Sequence, residues 1–76
     1  MSLEEEIKLI LKDFENTPSE KIFDTLNQIK PHFKSELISE YLQGKIQKIQ
    51  DLSDESEKKK QCKALQPYFD WYLQGL

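Results

Sequence analysis

Seventy-six residues suffice for one domain and lie close to the size at which a lone hydrophobic core is only marginally adequate, so a single helical domain over residues 1–76 is expected, with pairing of two copies as an alternative way to complete the core. A formal charge of -3, a pI near 5.1 and eleven basic residues that are all Lys argue against a nucleic-acid partner, which is held by neutralising phosphate charge and read in part by the planar fork of Arg. The lone Cys62 excludes an intrachain disulfide and a zinc site built on a Cys pair, and the absence of a signal-type leader or a long apolar run points to a cytoplasmic protein with no membrane partner.

Ten Leu, eleven Lys and seven Gln with no Val favour helix throughout. The expected architecture is all-α, a compact antiparallel bundle of three to four helices. The first helix is predicted over residues 2–15, where Leu3, Ile7, Ile10, Leu11 and Phe14 recur at three- and four-residue spacing. Leu9 falls off that face. Glu4, Glu5 and Glu6 occupy the first turn, where negative charge meets the positive end of the helix dipole.

A second helix is predicted over 18–30. Thr17 suits its N-cap, Pro18 its first position and Glu20 the third place of a capping box. Ile22, Leu26 and Ile29 form its stripe, leaving Phe23 outside it, and Pro31 disfavours helical backbone at Lys30. The third helix is predicted over 32–52 and carries two apolar faces: Phe33, Leu37 and Tyr41 on one, Ile38, Leu42, Ile46 and Ile49 on another. A helix apolar on two sides is expected to touch two neighbours. Gly44 sits where the second stripe takes over and suits a kink, a close helix crossing or a plain tolerated glycine.

The fourth segment is predicted over 54–74, opened by the cap-and-acid sequence Ser53-Asp54-Glu55-Ser56 and broken or kinked near Pro67. Lys58, Lys59 and Lys60 follow Glu55 and Glu57 within one helical turn and read as a solvated face. Cys62, Leu65, Phe69, Tyr72, Leu73 and Leu76 gather on one side of this segment, with Trp71 nearly opposite and Tyr68 at the edge.

Chemistry-bearing residues are sparse. His32 has Glu36 four residues on, but two ligands do not close a metal site. Cys62 has only lysines as basic sequence neighbours and reads as a small core residue. The pairs Glu36/Glu40 and Asp51/Glu55 have no apolar pocket to raise a carboxyl pKa, and isolated Gly44 and Gly75 make no phosphate loop. No catalytic, cofactor-binding or metal-binding set is expected, and no small-molecule substrate. Half of the aromatic residues fall between Tyr68 and Tyr72, so the expectation is a non-catalytic protein-binding module, a small regulator or inhibitor, acting through Trp71, Tyr68, Leu9 and Phe23. Trp71 packing into the core instead is the competing expectation. The alternative functions are a structural homodimerisation domain and, against the charge argument, a helix-turn-helix nucleic-acid binder.

Overall fold

The computed structural model describes residues 2–75. Among these the chain is all-α, with no strand, and folds as a helical bundle. Its helices are α1 (Leu3–Lys12), α2 (Ser19–Ile29), α3 (Glu36–Gln50), α4 (Glu55–Cys62) and α5 (Gln66–Leu73), with 3₁₀ turns at Phe14–Asn16, Lys30–His32 and Lys63–Leu65. α4 and α5 are the two halves of the expected fourth segment. Leu76 lies outside the described residues.

α1 begins where its cap directs it: the Glu5 N–H donates to Ser2 Oγ at 3.2 Å, satisfying one of the orphan donors of the first turn. It ends earlier than expected, at Lys12, and the last apolar residue of its stripe, Phe14, is carried into the core by a 3₁₀ turn. The α2 boundary also departs from expectation. Thr17 is not the cap: its hydroxyl donates to the Asp13 carbonyl at 2.9 Å, closing the preceding turn. Pro18, extended at φ -62 and ψ 148, takes the cap position without a side-chain bond. The orphan donors of α2 are met from a distant part of the chain. Ser19 donates through its N–H to Glu55 Oε2 at 3.2 Å and through Oγ to Glu55 Oε1 at 2.7 Å.

α2 is the hub. It packs against α1, α4 and α5, and six of its eleven residues are buried: Ser19, Ile22, Phe23, Thr25, Leu26 and Ile29. Being covered from several directions is what buries Phe23, which a single stripe left outside. Lys30 retains helical backbone despite the following Pro31 and leads into a 3₁₀ turn, so the extended residue is Phe33 instead (φ -70, ψ 139). α3 therefore starts at Glu36, four residues later than predicted, and ends at Gln50.

The break in the fourth segment falls at 63–65 and α5 begins at Gln66. Pro67 occupies the first turn of α5, where its missing N–H leaves no helix bond unmade. This 3₁₀ interruption resets the helical phase, and α5 seats itself against α1 and α2. Tyr68, expected at an edge, and Phe69 are consequently both buried. The core comprises fifteen buried apolar residues drawn from every helix. Among the described residues no buried side-chain nitrogen or oxygen lacks a hydrogen bond, and no helix is long and apolar enough to cross a membrane.

Candidate functional site

Four residues were expected at an interface, and the fold separates them. Phe23 (5% exposed) and Tyr68 (7% exposed) belong to the core. Phe23 is covered because α2 is central, and Tyr68 because α5 is rephased. Trp71 is half-buried and packs against the core cluster. Its ring lies edge-on to Tyr68, with centroids 5.0 Å apart, and Tyr68 in turn stands edge-on to Phe33 at 6.3 Å. Offset and edge-to-face pairs are the favoured aromatic geometries, so this run of three rings is a packing device that uses up much of the surface Trp71 offered. Leu9 is exposed (52%) and lines an open groove with Glu6, Ile10, Asp13, Pro18 and Lys21. An ion pair of 2.9 Å between Glu6 and Lys21 stands in its wall.

The largest exposed hydrophobic side chains of the described surface besides Leu9 are on α3: Leu37 at 59% and Tyr41 at 60%. They are one helical turn apart. Leu42, Ile46 and Ile49 on the other face of α3 are buried, with Ile38 half-buried beside them. Of the two apolar faces of this helix, the described residues cover one and leave the other exposed. The first face also loses Phe33, which is buried but precedes α3.

Gly44 continues the outward stripe. At about 100° per residue, Leu37, Tyr41, Gly44 and Lys48 fall within roughly 60° of one another around the axis. α3 runs unbroken through Gly44, so no kink forms there. A Cβ placed on Gly44 would meet nothing within 4 Å. Among the described residues no close crossing requires a glycine there, although an interior helical glycine costs about 1 kcal/mol relative to Ala. Glu40 and Lys45, both exposed, border the stripe on opposite sides. The surface is thus a short apolar ridge with a notch one turn beyond Tyr41, an acidic edge and a basic edge.

The remaining chemistry-bearing groups are placed as follows. His32 is exposed in the 3₁₀ turn and stands edge-on to Tyr72, with ring centroids 6.0 Å apart. Helical spacing between His32 and Glu36 is lost because α3 begins only at Glu36. Cys62 is fully buried, and burial pushes its thiol pKa up to about 11. Among the described residues no three His, Cys, Asp or Glu side chains converge on a point that could hold a metal ion.

Lys59 corrects the reading of the lysine run as uniformly solvated. Its ammonium donates to the carbonyls of Phe14, Glu15 and Thr17 and sits 5.0 Å from the Phe14 ring centroid. The Phe14 carbonyl already accepts the Thr17 N–H at 3.1 Å and takes Lys59 on its second lone pair. The Glu15 and Thr17 carbonyls lie where the chain leaves the 3₁₀ turn, a negative helix end for which a cation is the natural partner. No local sequence signal marks this contact, since donor and acceptors are more than forty residues apart. Leu37 and Tyr41, by contrast, are legible in the sequence as one of the two apolar faces of this helix; what the sequence does not show is that no described residue covers that face. Comparison with known proteins found no matching family model, no matching curated protein and no matching solved structure.

Proposed function

We propose that this chain is a non-catalytic protein-binding module, and that it docks a partner protein through the outward face of α3, with Leu37 and Tyr41 as anchors. The observation that carries the reading is the apolar face of α3 that no part of the described chain covers. Two apolar side chains at i and i+4 on a helix match the spacing by which helices engage hydrophobic grooves. Tyr is among the residues that contribute most when buried at an interface. The glycine next to them supports close approach of a partner backbone, because the chain carries its helical cost with no contact among the described residues that uses it. Glu40 and Lys45 orient the partner, favouring one with a basic group on the first edge and an acidic group on the second.

The size of the ridge favours a transient contact over a permanent dimer. Stable interfaces bury about 800 Å² per partner, well beyond what two side chains supply. The test uses wild-type protein, the Leu37→Ser/Tyr41→Ala variant and Leu9→Ser in parallel as capture baits, followed by titration of each recovered partner with purified protein. The expected result is a partner bound equally by wild type and Leu9→Ser, with Kd raised at least about tenfold by the α3 variant. Equal binding by all three, with helical content intact, rejects the α3 surface. A concentration-dependent dimer in sedimentation that the α3 variant abolishes assigns the face to a second copy instead.

A further inference from the structure

α4 is held in the fold differently from the other helices. Of its eight residues, Cys62 alone is buried, so it lacks the apolar stripe whose removal from water seats α1, α2 and α3. Two charged side chains one turn apart do that work. Glu55 accepts the N–H and Oγ–H of Ser19 at the start of α2, at 3.2 and 2.7 Å. Lys59 donates to the carbonyls of Phe14, Glu15 and Thr17 at the end of the α1 segment. Both reach the same short stretch, residues 14–19, where Glu55 takes an N–H of the first turn of α2 and Lys59 gathers three carbonyls, of which that of Phe14 also accepts the Thr17 N–H.

We propose that Glu55 and Lys59 form a polar latch, and that α4 undocks as a unit ahead of global unfolding when the latch opens, baring Cys62. Local opening is easiest where few apolar contacts are lost and the hydrogen bonds broken can be replaced by water. α4 meets both conditions. Ile7, Ile22, Leu26 and Phe69, fully buried in α1, α2 and α5, stay packed against one another while α4 is away. Lys63, which pairs with Glu15 at 2.8 Å in the adjoining 3₁₀ turn, marks the hinge side that remains attached.

Cys62 is the built-in reporter, since a reagent reaches it only after opening. The experiment follows its reaction with a water-soluble aromatic disulfide against urea concentration at pH 8, alongside peptide-resolved hydrogen exchange of the full chain. In wild type, the reaction rate is expected to change little with urea well below the unfolding midpoint, and residues 57–62 to exchange before α1 and α2. Glu55→Ala and Lys59→Met are each expected to speed the reaction about tenfold or more, the loss of a charge-assisted bond. Glu57→Ala removes a charge from the same first turn without touching residues 14–19, and is expected to stay within about twofold of wild type. The proposal is overturned if Cys62 reactivity in wild type follows the same urea dependence as global unfolding, a result readable even where a variant does not fold. Equal acceleration of exchange in α1, α2 and α4 by the two variants also overturns it.

Discussion

At the scale of single residues, Gly44 is the position where the chain sets its own stability aside. Its backbone is ordinary helix, since Gly75 is the residue with positive φ among those described, and an added Cβ has open space around it. Gly44→Ala should therefore stabilise the fold by about 0.5–1 kcal/mol, mainly by reducing the freedom of the unfolded chain. For a domain of this length that is a rise in Tm of roughly 2–8 °C, measurable by circular dichroism. If the notch receives a partner backbone, the same variant binds that partner less tightly. A fall in Tm would mean that a close neighbour depends on the missing Cβ, against the geometry. Leu37 and Tyr41 make a matching case: each is a surface residue whose replacement by Ala should alter stability by less than about 0.5 kcal/mol.

At the scale of the element, the boundaries show which signals act locally. α1 and α4 start at Leu3 and Glu55, each one residue after the predicted 2 and 54, because Ser2 and Asp54 are caps whose side chains accept from Glu5 and Glu57 at 3.2 and 3.1 Å; a cap three residues away is a local signal. The start of α2 is likewise one residue after the predicted 18, but the side chain that meets its first donors is Glu55, thirty-six positions on, and no local pattern announces such a partner. Tyr68 and Phe23 were misplaced for a related reason: a stripe drawn on one continuous helix knows nothing of the 3₁₀ break at 63–65 or of a helix covered from several sides. The Glu55 contact also sets a pH dependence. Its carboxyl is held below the ordinary 4.5 first by the Ser19 hydroxyl, then by the Ser19 N–H, with smaller help from the charges of Lys58 and Lys59. A pKa lower in the folded than in the unfolded state means stabilisation that is present above the unfolded value and disappears as pH falls through the folded one. The gap in Tm between wild type and Glu55→Gln should therefore be widest near pH 7 and close toward pH 3. A gap that persists unchanged in acid would show that the contact does not depend on the carboxylate charge. Glu15, held low by its hydrogen bond and charge interaction with Lys63, acts in the same direction and is left intact in both proteins.

At the scale of the whole molecule, the division between core and ridge separates loss of fold from loss of contact. A chain of 76 residues is expected to have a folding free energy of about 4–11 kcal/mol, so one large core truncation takes a substantial share. Phe69 is the largest of the fully buried side chains, and α5 carries it into the space bounded by α1 and α2. Phe69→Ala removes its transfer energy and leaves a cavity that helices anchored on the hub α2 collapse into only partly, for a cost of about 3–5 kcal/mol. With a urea slope near 1 kcal/mol per molar for so small a domain, the midpoint should fall by about 3–5 M or the folded baseline should vanish. The Leu37→Ser/Tyr41→Ala variant should leave the midpoint within about 1 M of wild type while weakening partner binding at least about tenfold. These two variants are expected to fail in opposite ways, and each controls for the other. If the α3 variant also lost several molar in its midpoint, the outward face of α3 would be part of what holds the monomer together, and its exposed Leu37 and Tyr41 would need a structural explanation in place of a partner.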